Sequence, residues 1–324
     1  MSSTINPTTA TTIDAKLWEA VAAVKAKSPL VQCLTNFVSM DIMANGLLAL
    51  GASPAMVHAT GELDASVPIV GAIGGAVSIN IGTLDERWIE SFKQTVLLCK
   101  VHGVPWVLDP VAAGFTPLRT ETALELMALH PPAVVRGNGS EILALSPAPA
   151  AGAAGAEGAE GAEGGGGGGK GVDSTKSSDA AVDAAKRLSA KFKCVVCVSG
   201  AVDWIVNNSA NGGGESSTDS CRVHACPHGV EMLTKITAAG CLITSVIGAF
   251  VAVASASAGS DDDSSAAVAE AAAMAFTFYG VCAELAAAES SGPGSFRVAF
   301  LDKLHVTTRD SAAAIAIKTT LADE

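Results

Sequence analysis

The stretch AVVRGNGSEILAL, Ala133–Leu145, carries two kinds of local order in a short span. Its opening residues are small and β-branched, which suits a buried strand. Gly137-Asn138-Gly139 then supplies turn chemistry. Ser140-Glu141 opens an apolar run of helical spacing, with an acid where the N–H groups of a first helical turn favour one. The same pattern recurs on both sides. SPLVQCLTNFV (28–38) reads as a strand, and MDIMANGLLALGA (40–52) as a helix ending at Gly51. SPAMVHA (53–59) and GAVSINIGTL (75–84) read as strands. DERWIESFKQTVLLCKVHG (85–103) reads as an amphipathic helix closed by Gly103. VPWVLDPV (104–111) is a buried strand, and ETALELMALH (121–130) a helix stopped by Pro131-Pro132. A further helix (178–192), a strand KCVVCVSG (193–200), a hairpin-like region and a helical C-terminal third follow. Alternating elements of this kind predict an α/β domain with a mostly parallel sheet.

Composition limits the function. The chain has 324 residues, 49% of them apolar, enough for one large core or two small ones. A net charge of −12 argues against nucleic acid as the main partner, because phosphate backbones need basic surfaces. Nucleotides stay possible, since local N–H groups and a metal can hold them. The polar N-terminus MSSTINPTTATTIDAK has no apolar core and no basic residue before Lys16. It therefore reads as no secretory signal, and the expected place is the cytoplasm, with organellar targeting left open. Ile236–Ser260 is uncharged and long enough to span a bilayer. Gly240, Thr244, Ser245, Gly248 and a Ser-Ala tail interrupt it, so it reads as a buried helix and no membrane contact is expected.

The eight cysteines are scattered and read as reduced thiols. Cys194 and Cys197 lie three apart on a strand and so point to opposite faces. Cys221, His224, Cys226 and His228 cluster closely enough for a zinc knot, though the spacing matches no common zinc module. Residues 148–171 form a Gly/Ala tract that cannot build a core.

In open α/β sheets, ligands sit beyond the carboxyl ends of the strands. The polar residues that follow the apolar strands are Asn80 and Gly82, Asp109, Arg136 with Asn138 and Glu141, and Ser199. With parallel strands, all of them share one edge. Asp109 and Glu141 together suit Mg²⁺, which takes oxygen ligands and keeps several waters. Each also has a plainer reading, as a turn Asp before Pro110 and as a helix-start acid. Arg136 and Ser199 could hold a phosphate or simply serve their loops. Thr237-Ala238-Ala239-Gly240, leading into a helix, offers N–H groups to an anion. This turn lacks the Gly-Lys-Ser/Thr pattern of a P-loop, and Gly71–Gly75 does not fit the dinucleotide fingerprint. Cys241 begins that helix, where the helix end lowers a thiol's pKa. A buried, inert cysteine is the competing reading, and the residues alone leave the choice open.

Several segments in order resemble the hydroxyethylthiazole kinases, a ribokinase-like family of thiamine salvage. They are SPLVQCLTN, ANGLLALGASPAM, NIGTL, VLDPVAAG, RGNGSEI, KGVDS, TKITAAGCLITSVIGAF and GPGSF, running from Ser28 to about Leu304. The resemblance implies a three-layer fold with helices on both faces of the sheet. It also implies one kinase domain at 28–324, after an N-terminal extension 1–27, with the tract at 148–171 as a disordered surface insertion. The implied reaction moves the ATP γ-phosphoryl group to the primary hydroxyl of 4-methyl-5-(2-hydroxyethyl)thiazole with Mg²⁺, in a homotrimer with active sites between subunits. Matched residue by residue, Met56, Asn36, Gly82 and Ala238 line the thiazole pocket. Arg136 and Ser199 contact ATP, Ser199 standing where the family usually has Thr. Asp109 and Glu141 lie near metal and phosphates. Thr237, Ala238, Ala239 and Gly240 form the anion hole, and Cys241 is the catalytic cysteine.

The departure is Ala238, where many members have Gly. Ala keeps the N–H but resists positive φ. Similar eukaryotic members carry Ala there, which leads to the expectation that the change is harmless. Three other readings compete: a kinase for another heterocyclic alcohol such as a hydroxymethylpyrimidine, a weakly catalytic homologue that binds thiazole or nucleotide, and a zinc-binding structural protein built on 221–228.

Overall fold

The computed structural model describes residues 7–147, 173–208, 221–255 and 261–323. The Gly/Ala tract at 148–171 lies outside the described residues. The described elements run α1 (Pro7–Lys27), β1 (Leu30–Leu34), α2 (Met40–Leu50), β2 (Ser53–Ala55), α3 (Thr60–Ala72), β3 (Ala76–Asn80) and α4 (Glu86–His102). Then come β4 (Trp106–Asp109), α5 (Pro117–Leu129), β5 (Val134–Asn138), α6 (Gly139–Leu145), α7 (Asp173–Phe192), β6 (Val195–Ser199) and β7 (Asp203–Asn207). The chain closes with β8 (Arg222–Cys226), α8 (Ala239–Ser255), α9 (Asp261–Ala288), α10 (Pro293–Val306) and β9 (Thr320–Asp323).

The strands form one nine-stranded sheet in the order β2-β1-β3-β4-β5-β6-β7-β8-β9. Its pairs from β2 through β6 are parallel, and those from β6 to β9 are antiparallel. Pro54 falls on β2, at the sheet edge, where a missing N–H costs least. Side chains alternate between two cores. Val107, Val134 and Cys197 face a layer built from α1, α2, α8, α9 and α10. Leu108, Val135 and Val196 face a layer built from α3 to α7. The α/β class with helices on both faces is therefore observed. Cys194 and Cys197 fall in opposite cores, as their spacing requires.

Local chemistry sets the helix ends. Asp85 caps α4 by accepting from the N–H of Trp88 at 2.8 Å, and Gly103 ends it at φ +65°. Thr116 caps α5, with Pro117 in its first turn.

Four features differ from the sequence expectations. Helix α3, with Pro68 inside it, fills a span that has no clear periodicity. The last third is not wholly helical, because β9 adds a strand to β8. The strand read over 53–59 shortens to Ser53–Ala55, leaving Met56 just beyond its carboxyl end. Residues 7–27, read as an extension, form α1, whose Leu17 and Val24 are wholly buried in the first core. Helix α8 is the buried helix expected near Ile236. In α9, Ser264–Ala288 is long and apolar enough to cross a membrane, yet 83% of its most apolar window is buried in the fold.

Candidate active site

Parallel pairing brings the carboxyl ends of β1, β3, β4, β5 and β6 to one edge. Register sets Asn80 beside Asp109, and Asn138 beside Ser199. A hydrogen-bonded chain crosses this edge. Asn36, just after β1, donates from Nδ2 to Asn80 Oδ1 at 2.7 Å and to Cys241 Sγ at 3.4 Å. Asn80 Nδ2 donates to Asp109 Oδ2 at 2.7 Å. Thr244, one turn past Cys241 on α8, donates to the same oxygen at 2.9 Å. Asn36 Oδ1 in turn accepts from the N–H groups of Val38 and Ser39, which fixes its amide.

Gly82 belongs to this end of the site. Its N–H donates to Asn80 Oδ1 at 2.9 Å, and a Cβ there would lie 2.6 Å from Asn36 Nδ2. Only glycine permits that approach. Arg119, from α5, donates to the carbonyls of Ile81, Gly82 and Val111, and so ties the Gly82 loop to the loop after Asp109. Met56 lies at the same edge beyond β2, half-buried against the first core.

At the other end, Arg136 Nε donates to Ser199 Oγ at 2.8 Å, and its Nη1 lies 3.8 Å from Asp109 Oδ1. A Cβ on Gly240 would come within 2.8 Å of Arg136 Nη1, so the guanidinium lies against the start of α8. Thr237 and Ala238 form the turn there, and Ala239 and Gly240 open the helix. The first N–H groups of a helix have no intrahelical partner, and the Arg136 guanidinium lies beside this helix start. Ala238 has φ +64°, in the left-handed region. The turn therefore takes the conformation that alanine resists, the case in which the expected harmlessness of Ala238 comes at a cost in backbone strain.

Burial drives the electrostatics. Asp109 is 1% exposed, and burial pushes its carboxyl up to about 7, against the pull of Arg136 and with a further push from Glu141. Its Oδ1 has no hydrogen-bond partner among the described residues. Burial, and then the neighbouring Asp109, raise the Cys241 thiol above its ordinary value, and hydrogen bonds from Asn36 and Asn80 only partly oppose this. The helix start was expected to lower this thiol, but desolvation outweighs that effect. Glu141 lies close to the edge yet serves the backbone. Its Oε2 accepts from Asn138 N–H and its Oε1 from Ala112 N–H, both at 2.8 Å, while Asn138 caps α6 in return.

Two participants were not read from the sequence as site residues, Thr244 and Arg119. Thr244 could have been found from its spacing of three after Cys241, which puts both on one helix face. Arg119 carries no sequence signal. The proposed zinc residues are engaged otherwise: His228 bonds Glu284 at 3.0 Å and accepts from Lys318 N–H at 3.0 Å. Among the described residues no three His, Cys, Asp or Glu side chains form a metal-binding group.

A profile described as "Hydroxyethylthiazole kinase family" matches residues 21–310. The chain belongs to this family. A hydroxyethylthiazole kinase of Zea mays is 40% identical over 296 residues, covering 91% of this chain and 90% of that protein. One from Cereibacter sphaeroides is 42% identical over 286 residues, covering 88% and 92%. The solved structure of a hydroxyethylthiazole kinase protein from Pyrococcus horikoshii OT3 superposes with a TM-score of 0.74 at 31% identity, covering 95% of this chain and 99% of that one. Residues 7–20 of α1 precede the span that the hydroxyethylthiazole kinase profile matches.

Proposed function

We propose that this chain transfers the γ-phosphoryl group of ATP to the hydroxyethyl oxygen of 4-methyl-5-(2-hydroxyethyl)thiazole. The observation that carries this reading is the continuous path Asn36–Asn80–Asp109–Thr244, with Cys241 held on Asn36 and the N–H groups of Thr237–Gly240 beside it. Phosphoryl transfer asks for positioning and charge stabilisation more than for a strong base. The thiazole alcohol would lie near Met56, Gly82 and Cys241. ATP would run along Arg136 and Ser199. Neighbouring strands lie about 4.8 Å apart, so the five steps from β2 to β6 span on the order of 24 Å, enough for both substrates in line.

Cys241 keeps its proton at neutral pH under burial, so its role is to orient the hydroxyl, whose proton leaves late to the transferring phosphoryl oxygens or to water. The N–H groups of Thr237, Ala238, Ala239 and Gly240 stabilise the transferring phosphoryl group. Asp109 and Glu141 fit a hydrated Mg²⁺: Asp109 presents an Oδ1 that accepts no hydrogen bond among the described residues, and each Glu141 oxygen accepts one N–H and retains a lone pair. When bound, the ion would neutralise phosphate charge.

The reading extends to a homotrimer. Phe37, Val38 and Phe115, on the loops flanking the site, and Leu118, in the first turn of α5, are exposed apolar side chains that a neighbouring subunit would cover. The eight cysteines form no disulfide, which suits a reducing cytoplasm.

The test is a phosphorylation assay with Mg-ATP across thiazole and pyrimidine alcohols. The thiazole alcohol should give the highest kcat/KM. A preference for the pyrimidine would sink the substrate assignment, and nucleotide or thiazole binding without turnover would favour the weakly catalytic homologue.

A further inference from the structure

The chain has one tyrosine, and it is aimed at the anion turn. Tyr279 lies on α9 and is 4% exposed. Its ring packs edge-on against Phe300 with centroids 4.8 Å apart. Its hydroxyl donates to the carbonyl oxygen of Ala239 at 2.7 Å. Burial holds the phenol in its neutral form, which keeps the O–H as a donor.

That carbonyl belongs to the peptide unit whose N–H is on Gly240. A peptide is planar, and its C=O and N–H point in opposite directions. Fixing the oxygen of Ala239 therefore fixes the direction of the Gly240 N–H. The turn needs such a hold. Ala238, immediately before it, stays at φ +64°, a conformation that an L residue leaves readily when its surroundings allow. On the far side, the Arg136 guanidinium limits where Gly240 can move. The strained turn is thus held from α9 by this hydrogen bond, in addition to its own helix, where Ala238 O accepts from Leu242 N–H at 2.9 Å.

We infer that Tyr279 is a positioning residue for phosphoryl transfer, its hydroxyl holding the Ala239–Gly240 peptide so that the Gly240 N–H points at the transferring phosphoryl group. This rests on the reading of Thr237–Gly240 as the anion hole. Misdirecting one N–H weakens stabilisation that counts in the transition state and leaves ground-state binding nearly untouched.

The test uses the full chain with Mg-ATP and the thiazole alcohol. Tyr279→Phe removes one oxygen and keeps the ring on Phe300. It should lower kcat by about tenfold while both KM values stay within about twofold. The control is Phe300→Leu, which loosens the same packing without touching the hydroxyl. It should lower the thermal midpoint more than Tyr279→Phe does and leave kcat near wild type. Because Tyr279 is the sole tyrosine, growth on 3-fluorotyrosine places one ¹⁹F label at this position in an otherwise unaltered chain. Its resonance should move when Mg-ADP and aluminium fluoride are added with the thiazole alcohol. A kcat for Tyr279→Phe within twofold of wild type, an equal kcat loss in Phe300→Leu, or an unmoved resonance would each overturn the inference. A wild-type chain that transfers no phosphoryl group would instead overturn the functional reading on which it rests.

Discussion

Asn36 holds the sulfur of Cys241 by donating to it from Nδ2 at 3.4 Å. The sulfur is thus the acceptor in that bond, and burial together with Asp109 keeps its own proton in place. A thiol in this state orients a substrate hydroxyl better than it removes its proton. Cys241→Ala should lower kcat by about ten- to a hundredfold, with the ATP KM nearly unchanged. Cys241→Ser should retain more activity than Ala, because its hydroxyl can also accept from Asn36. Steady-state kinetics of the two variants check this, and an unchanged kcat in Cys241→Ala would sink the role.

The edge on which these residues meet was legible because it follows from local pattern. Each β-branched run ends in a polar residue, and parallel strands put those ends together. What was illegible depends on where side chains reach. Nothing in VLDPVAAG shows that Asp109 loses its water and rises toward 7. The Asn138-x-x-Glu141 spacing suits a capping box, but nothing near Glu141 shows that its other oxygen reaches Ala112 N–H. Tyr279 meets Ala239 across 40 positions of sequence, and Arg119 meets Ile81 across 38. Such partners are set by packing between layers, which periodicity does not encode. Helix α3 was hidden for a different reason, since Pro68 and scattered small residues blur its period.

Ala238 is the position where the local rule is broken. Holding alanine in the left-handed region costs about 1 kcal/mol, part of which glycine gives back through its freer unfolded chain. Ala238→Gly should therefore raise unfolding free energy by roughly 0.5 kcal/mol and keep kcat at or above wild type. Urea unfolding beside a kcat measurement checks both parts. A loss of stability would mean that the turn is not under strain.

Asp109 gives the ligand-free chain a pH dependence. Its folded-state value, about 7, lies above the ordinary 3.8, so the fold favours the protonated carboxyl. That contribution is fully present below pH 3.8 and is lost as pH rises through about 7. The loss is at most about 4 kcal/mol at the usual conversion of 1.4 kcal/mol per unit. Urea unfolding without Mg-ATP at about pH 4 to 8, which spans the shift from 3.8 to about 7, should show wild type losing stability relative to Asp109→Asn as pH rises. Parallel curves would contradict a carboxyl raised by burial.

Gly82 tests how tightly the thiazole end is built. An alanine Cβ would meet Asn36 Nδ2 at 2.6 Å, and the amide could yield only by giving up Asn80 or Cys241. Gly82→Ala should raise the KM for the thiazole alcohol and lower kcat, together reducing kcat/KM by about a hundredfold, while the ATP KM holds. A uniform rise in both KM values would point to general loosening instead.

Helix α1 decides where the folding unit begins. Leu17 and Val24 are wholly buried in the core shared with α8, the helix that carries Thr244 and Cys241. Removing α1 would uncover the back of the helix whose front holds the site. Leu17→Ala should cost about 2 to 5 kcal/mol of stability, as for other buried leucines, while kcat measured well below the unfolding midpoint changes little. Deleting residues 1–27 should leave a chain that does not fold. If the truncated chain instead keeps its cooperative unfolding transition in urea, α1 is an accessory and the domain starts at β1.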